Sequence, residues 1–312
     1  MRIVSLLPST TEIACALGLE SQLVGRSHEC DYPESIKDLP VLTEPKYDEN
    51  GRSSEIDKRV KSLLENGLSV YHVFADKLSE LNPDLILTQD HCEVCAVSLP
   101  DVEEALQKYT SSDSKVISVS PKNLEDIFES IQTIGNAAGA GQKAKHLLAE
   151  IKQRFSIIKN TVFGENRKTV ATVEWIEPLM TAGNWIPELI EIAGGEDQLG
   201  KPGQHSPWID WNDIMEADPE YLLICPCGYS CQQTLNEIDH LTDKPEWEKL
   251  KAVKNGNVFI LDGNHYFNRP GPRIFESTRI LGEILHPQLF KPTLKGIGWI
   301  NFRDIQKTEL TA

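Results

Sequence analysis

Residues 2–25, RIVSLLPSTTEIACALGLESQLVG, carry the clearest fold signal in the chain, a strand followed at once by a helix. The apolar run at residues 3–7 is interrupted only by Ser5, as is typical of a strand buried on both faces of a parallel sheet. Pro8 ends this run. Because a strand leading directly into a helix is the unit of open α/β sheets, the stretch predicts an α/β fold.

Sequence signals mark both ends of this helix. Ser9 and Glu12 have the spacing of a capping box, in which the serine hydroxyl accepts a hydrogen bond from a free helix N–H group. The pattern predicts a helix over 11–17 that Gly18 closes. Open α/β folds bind ligands at the carboxyl ends of their strands, so Ser9 and Thr10 are candidate ligand-binding residues.

The alternation of strands and helices continues along the chain. Further strands are predicted at 23–25, 68–72, 84–88 and 115–119. Further helices are predicted at 53–66, 75–81, 99–109 and 124–137. The longest amphipathic pattern, over 142–162, predicts one helix that links two halves.

The second half repeats the first in outline. LNPDLIL at 81–87 is matched by ADPEYLLI at 217–224, and a strand is predicted at 169–174 before a helix that Asn184 caps, with Pro187 in its first turn. An approximate duplication is the simplest explanation, although unrelated α/β units also resemble one another. We therefore expect an N-terminal lobe at 1–121, linking helices at 122–163, a C-terminal lobe at 164–290 and a tail at 291–312 without clear periodicity.

Bulk composition argues against several classes of partner. The net charge of −16 and a pI near 5.0 disfavour nucleic acid and anionic membranes as main partners, since both favour basic patches. The longest apolar runs are far shorter than the roughly 20 residues that span a bilayer, so we expect no transmembrane segment. Phosphate-binding glycine, Gly-x-Ser-x-Gly and His-Glu-x-x-His motifs do not occur in the sequence, which leaves nucleotide, serine-hydrolase and zinc-protease chemistry without support.

Cysteine usage and the amino terminus bear on location. The seven cysteines fit a reducing compartment better than a disulfide framework. Residues 1–2 lead directly into the first strand, without the basic and apolar regions of a signal peptide. The chain as written is therefore expected in the cytoplasm, or in the periplasm or at the cell surface if a leader was removed. We expect a monomer.

Polar and aromatic residues concentrate in the loops that follow predicted strands. Buried polar groups cost free energy unless they are paired, so this concentration favours a ligand site. Beyond the first loop, the candidate ligand-binding residues are His28, Glu29, Tyr32, Asp90, His91, Glu174, Trp175, Trp185, Tyr229, His265, Tyr266, Phe267 and Arg269.

Two charged candidates have competing interpretations. Glu174 could neutralise a cationic ligand or a metal ion, and it could equally cap the helix that follows. Arg269 and Arg273 flank a rigid Pro-Gly-Pro turn and would suit carboxylate or phosphate groups, although a surface ion pair is the commoner role of an arginine.

Cysteine and histidine residues in the same loops are candidate metal ligands. Thiolates and imidazoles would suit zinc, copper or iron. Against this, an isolated Cys-x-x-Cys pair is a weak signal, Cys95 is equally well explained by burial, and a single loop histidine more often forms a hydrogen bond. The candidate ligands are His28, Cys30, His91, Cys92, Cys95, Cys225 and Cys227.

Several motifs follow one another in a characteristic order: RIVSLLPSTTEIACALGL, LVGRS, DYP, LNPDLIL, the long linking helix and ADPEYLLI. This order resembles the cobalamin- and siderophore-binding proteins of ABC importers. It is most similar to the vitamin B12-binding branch, over about residues 2–287. The resemblance implies a class III periplasmic-binding-protein-like fold, with two lobes of parallel-type sheets joined by one rigid helix and the ligand held between the lobes.

The same resemblance implies a function. Family members clamp a corrin ring mainly with aromatic side chains, and the matching loops here carry Tyr32, Trp175, Trp185, Tyr229, Tyr266 and Phe267. We therefore expect non-enzymatic binding of a cobalamin-like corrinoid or metal chelate in the interlobe cleft, for import with an ABC permease.

Two alternatives stay open. The cysteine–histidine loops and the missing leader favour a cytosolic metal-binding protein, or an enzyme, that uses the same cleft with a transition metal. Loops that serve only a protein partner are a weaker alternative, because the aromatic residues are spread over both halves.

Overall fold

The computed structural model describes residues 1–66, 70–89 and 114–309, with side chains as far as residue 305. The chain forms two compact units: Met1–Gly51 with Glu55–Glu150, and Arg52–Ser54 with Ile151–Ala312. The predicted helix at 99–109 and the candidate residues Asp90, His91, Cys92 and Cys95 lie outside the described residues.

The first unit is built on a four-stranded parallel sheet. Its order is β2-β1-β5-β6, while β3 and β4 form a separate antiparallel pair. The predicted strands at 23–25, 84–88 and 115–119 are confirmed with shifts of at most one residue. The strands are β1 (Ile3–Ser5), β2 (Leu23–Arg26), β3 (Thr43–Pro45), β4 (Tyr71–Val73), β5 (Leu85–Gln89) and β6 (Lys115–Val119).

Helices complete the first unit. Ile3, Ile13 and Ile86 are fully buried, which places the core between the sheet and the first helix. The predicted long helix is confirmed as α5, which begins in the first unit and ends in the second. The helices are α1 (Pro8–Ala16), α2 (Ser53–Glu65), α3 (Ala75–Leu81), α4 (Leu124–Ala137) and α5 (Gly141–Thr161).

The start of α1 corrects the capping-box prediction. The helix begins at Pro8, and its cap residue Leu7 makes no side-chain cap bond. Proline suits the first helical position because it has no N–H group to satisfy, so Ser9 lies inside the first turn. The predicted end is confirmed, since Gly18 has a φ of +66° and its N–H group donates to Cys15 O at 2.8 Å.

The second unit is built on a five-stranded sheet with the order β11-β10-β9-β7-β8. All pairings are parallel except the antiparallel pair β10–β11. Val173, Ile224 and Ile260 are fully buried and form part of one core cluster. The strands are β7 (Lys168–Val173), β8 (Gly195–Asp197), β9 (Tyr221–Ile224), β10 (Val258–Leu261) and β11 (Trp299–Asn301).

Besides the end of α5, seven helices of the described residues lie in the second unit. Among the described residues, no helix combines the length and the apolar composition that crossing a membrane requires. The helices are α6 (Ile186–Ile192), α7 (Trp211–Ala217), α8 (Cys231–Leu235), α9 (Asp239–Thr242), α10 (Lys251–Asn255), α11 (Ile274–Leu285) and α12 (Phe302–Glu309).

The predicted cap of α6 is wrong. Trp185 is the cap residue, and Asn184 precedes it with a φ of +52°. Asn184 instead exchanges backbone hydrogen bonds with the loop at Gly203 and Gln204. Pro187 lies in the first turn of the helix, as predicted.

The C-terminal segment has more structure than its sequence pattern indicates. It supplies β11 and α12, and a buried carboxylate, Glu283, anchors it. Glu283 accepts hydrogen bonds from the N–H groups of Thr293 (2.9 Å) and Leu294 (3.2 Å) and from Trp299 Nε1 (2.9 Å). Burial by itself would raise the pKa of Glu283, but these hydrogen bonds outweigh it and lower the pKa.

Candidate functional site

The carboxyl end of the second sheet carries a buried polar cluster around Glu174. This residue directly follows β7 and is 7% exposed. Its carboxyl group accepts hydrogen bonds from the Ser206 hydroxyl and, at 3.0 Å, from Asn268 Nδ2. The alternative that Glu174 caps the next helix is wrong, because α6 begins at Ile186 after its own cap residue. Two donors from distant loops therefore orient this carboxyl group.

The loop after β10 adds a buried guanidinium group. Arg269 is 5% exposed, and its Nη2 donates to Asn264 Oδ1 at 2.9 Å. Asn268, which donates to Glu174, is its neighbour in the chain. Because burying a charge is costly without partners, a loop that buries an arginine beside these amides is held in one arrangement. The cluster thus offers oriented donors and acceptors.

The loop after β9 contributes two cysteines. Cys225 is fully buried, and burial raises the pKa of its thiol well above the usual range, with a further contribution from Glu174. The thiolate is the nucleophile and the metal ligand, so a thiol that stays protonated is poorly suited to either role. Cys227 is half-buried, and its N–H group donates to the Glu174 carbonyl at 3.0 Å. Metal binding by the two stays a prediction.

The aromatic candidates of the second unit differ in burial. Trp175 is partly exposed and meets the buried Tyr229 edge to face, with ring centroids 5.5 Å apart. Trp185 and Phe267 are buried, and Trp185 Nε1 donates to the Phe267 carbonyl at 3.1 Å. The two buried rings and this hydrogen bond stabilise the loop after β10. Tyr266 is partly exposed, so it and Trp175 are the rings with surface available to a ligand.

Asp262 organises the turn that carries His265. One oxygen of Asp262 accepts from the His265 N–H group at 2.7 Å, and the other lies 3.0 Å from His265 Nδ1. The turn Gly263–Phe267 passes so close to the loop after β9 that a Cβ on Gly263 would lie 2.1 Å from the Pro226 carbonyl oxygen. The ring of His265 is therefore oriented by a buried carboxylate.

Sequence reasoning missed three members of this arrangement, Ser206, Asp262 and Asn268. Asp262 had a usable signal, because it ends the apolar run VFIL at 258–261, which is typical of a buried strand. Ser206 lies in a segment without a periodic pattern, and no sequence feature pointed to it.

In the first unit, the hydroxyl groups near the end of β1 bond to each other. Ser5 Oγ lies 2.7 Å from Thr10 Oγ1 and accepts from Thr11 Oγ1 at 2.8 Å. Thr11 Oγ1 also lies 3.0 Å from Cys30 Sγ, which is 3.1 Å from Ser27 Oγ. The network locks the turn between β1 and α1, so its contribution is structural.

The remaining candidates of these loops have different environments. Burial raises the pKa of the Cys30 thiol, and its hydrogen bonds with Ser27 and Thr11 oppose this only in part. Ser9 is buried, whereas Tyr32 is 47% exposed. Of these, Tyr32 has the most accessible side chain.

His28 is held in a fixed orientation beside two glutamates. Its Nδ1 lies 2.7 Å from Thr43 Oγ1, and its Nε2 lies 3.8 Å from Glu49 Oε1. One donor atom each from His28, Glu29 and Glu49 lie within 4.8 Å of one another. Among the residues that the structure describes, these three are the histidine, cysteine and acidic side chains whose possible ligand atoms lie close enough together to hold one metal ion.

Comparison with known proteins agrees with this architecture. A family model described as "Periplasmic binding protein" matches residues 3–265. An uncharacterized ABC transporter substrate-binding lipoprotein, YvrC, from Bacillus subtilis (strain 168) is 23% identical over 93% of this chain and 81% of the relative. The vitamin B12-binding protein of Vibrio vulnificus (strain CMCP6) is 24% identical over 87% of this chain and 85% of the relative.

A solved structure shows the same fold. It is that of a possible iron-binding (periplasmic solute-binding) protein from Staphylococcus epidermidis ATCC 12228, which superposes with a TM-score of 0.69 at 22% identity. The match covers 91% of this chain and 98% of the other. Since the family model extends over most of the chain, the protein belongs to the periplasmic binding protein family.

Proposed function

We propose that this protein is a non-enzymatic substrate-binding component of an ABC importer and that its ligand is a corrinoid of the cobalamin type. The observation that carries the ligand proposal is that the partly exposed Trp175 follows Glu174 directly in the chain, and that the buried carboxyl group of Glu174 is oriented by Ser206 and Asn268. The names of the vitamin B12-binding relative and of the ABC lipoprotein support the class.

The chemistry of the second sheet's carboxyl end suits such a ligand. A corrin is a large ring with apolar faces and peripheral amide groups, so it needs aromatic surface and hydrogen-bonding groups together. Trp175 and Tyr266 offer the aromatic surface. Glu174 offers a carboxyl group that Ser206 and Asn268 already orient. Preorganised groups lose little conformational entropy on binding, which favours affinity.

Other groups near the strand ends favour binding over catalysis. The Cys225 thiol, whose pKa is raised by burial, is a weak nucleophile. In the first unit, the hydroxyls of Ser5, Thr10 and Thr11 bond to protein atoms. These residues therefore build the scaffold of a binding site.

Calorimetry and visible absorbance with hydroxocobalamin test the ligand. We expect Trp175→Ala to weaken binding by about tenfold or more, because the variant loses an aromatic contact surface. Phe163→Ala is the matched control, since Phe163 is an aromatic residue of the same unit that is 88% exposed, and it should bind like the wild type.

Absence of binding at about 100 μM hydroxocobalamin would contradict the corrinoid proposal. Binding of a ferric chelate instead would keep the substrate-binding role and change the ligand. Recovery of a permease in a pull-down supports the import role. Cell fractionation tests the location, for which the expectation is the cytoplasm, or the periplasm or cell surface if a leader was removed.

A further inference from the structure

We propose that His28, Glu29 and Glu49 of the first unit bind a divalent first-row transition-metal ion such as Zn²⁺. His28 and Glu29 follow β2, and Glu49 follows β3. This site goes beyond the proposed function, because its three ligands lie within the first unit and it requires no corrinoid.

The spacing of the donor atoms fits one metal ion. One atom from each side chain lies within 4.8 Å of the other two, and His28 Nε2 is 3.8 Å from Glu49 Oε1. Two ligands of a tetrahedral zinc ion, each about 2.1 Å from the metal, lie about 3.4 Å apart. The Glu49 side chain is 45% exposed, so a small rotation can close the difference.

His28 is positioned as a metal-binding histidine usually is. Its ring Nδ1 is hydrogen-bonded to the buried Thr43 hydroxyl at 2.7 Å, and the backbone N–H group of His28 donates to the same hydroxyl at 3.1 Å. The ring lies against Tyr71, with centroids 5.6 Å apart. A metal-ligating histidine commonly uses its second ring nitrogen for such a bond, which sets the direction of the first.

The other ring nitrogen of His28 gives independent support for a metal ion. His28 Nε2 is buried and lacks a hydrogen-bond partner within the described structure, since the 3.8 Å to Glu49 exceeds hydrogen-bond length. A buried polar atom without a partner costs free energy, so such atoms call for an explanation. A metal ion at this position would accept the nitrogen lone pair.

The charges and donor types define the class of ion. Two carboxylates and an imidazole together suit Zn²⁺ and its first-row neighbours better than a soft ion that prefers thiolates. Three protein ligands leave a coordination position for water or an anionic ligand. Cys30, which the sequence analysis named with His28 among the candidate metal ligands, forms hydrogen bonds with Ser27 and Thr11.

The test is titration of metal-free, full-length protein with ZnCl₂ by calorimetry and with CoCl₂ by visible absorbance. We expect one ion per chain and a loss of affinity of at least tenfold in Glu49→Gln. Glu44→Gln is the matched control, because Glu44 is another exposed glutamate, within β3, that lies outside the group. It should bind like the wild type.

Two results would overturn the proposal. One is equal affinity of Glu49→Gln and the wild type. The other is thiolate-to-cobalt charge-transfer absorbance that disappears in Cys30→Ser, because it would assign the ion to the cysteine. His28→Gln should also lose binding, with folding checked by circular dichroism. If that variant does not fold, the exposed Glu49 variant decides the question.

Discussion

The two units share one sheet topology and differ in the chemistry at their strand ends. The first sheet has the order β2-β1-β5-β6, and the matching strands of the second have the order β8-β7-β9-β10. Even a turn is repeated, since Asn82 ends α3 and Asp218 ends α7, both in the left-handed conformation and both before a proline. This supports the approximate duplication inferred from the sequence.

At the strand ends the units diverge. After β1 the polar groups are small hydroxyls that bond to each other, as Ser5 does with Thr11. After β7 the polar group is a buried carboxyl, Glu174, with the buried Arg269 in a nearby loop. Hydroxyls satisfied by one another add stability, whereas buried ionisable groups are costly and are typical of functional sites. One scaffold thus carries different chemistry in its loops.

The largest expected effect concerns an element that only the second unit has, the C-terminal segment anchored by Glu283. Glu283→Ala removes a buried carboxylate that holds Thr293, Leu294 and Trp299. We expect the free energy of unfolding to fall by about 3–5 kcal/mol, because the buried donors lose their acceptor. Urea denaturation measures this, and Glu216→Ala, at an exposed position of α7, is the control.

The lowered pKa of Glu283 makes the free energy of unfolding depend on pH. The folded-state pKa lies below the unfolded value of about 4.5, so the carboxylate contributes stability above that value. This contribution is lost as the pH falls through the folded-state pKa. Glu283→Ala should flatten the acid side of the stability curve, and an unchanged curve would contradict the anchoring role.

A pair of variants tests whether the strand-end groups differ in role. Thr11→Val removes a hydroxyl that bonds Ser5 and Cys30. It should lower the free energy of unfolding by about 1–2 kcal/mol and leave the affinity for hydroxocobalamin unchanged. Glu174→Gln should lower that affinity by about tenfold, or about 1.4 kcal/mol. Denaturation and calorimetry on both variants give the answer, and a loss of affinity in Thr11→Val would remove the distinction.

The smallest effect concerns the repeated turn. Asn82→Gly relieves a left-handed conformation and should stabilise the protein by about 0.5 kcal/mol. Asp218→Gly should instead destabilise it, because Asp218 Oδ1 accepts from the Lys251 N–H group at 2.9 Å and its other oxygen pairs with the Lys251 ammonium at 3.1 Å. Thermal unfolding of both variants measures the two changes in melting temperature, for which we expect opposite signs. Equal changes would show that the two turns are equivalent.

Particular elements show how far sequence reasoning reaches. Residues 115–119 and 75–81 were predicted with the bounds that β6 and α3 have, because local periodicity specifies regular elements. The capping box failed because α1 begins at Pro8, so Ser9 lies inside the first turn and is not the cap residue. The strand β11 was missed because it has three residues and depends on its antiparallel partner β10.

The candidate site was predicted by loop and only partly by residue. Glu174, Trp175 and Arg269 lie in loops that the strand pattern marked. Glu49 carried no signal, because an exposed glutamate in an irregular segment looks like any other solvated charge.

The sequence by itself determined the alternation of strands and helices, the long helix α5 and the loops in which the candidate residues lie, since these depend on neighbours a few residues apart. Only the tertiary structure decided which polar groups meet. Glu174 and Asn268, which are joined by a hydrogen bond, are 94 residues apart, and no local pattern encodes that contact. Likewise, only the packing of the folded unit decided that Phe267 lies in the interior while Trp175 stays partly exposed.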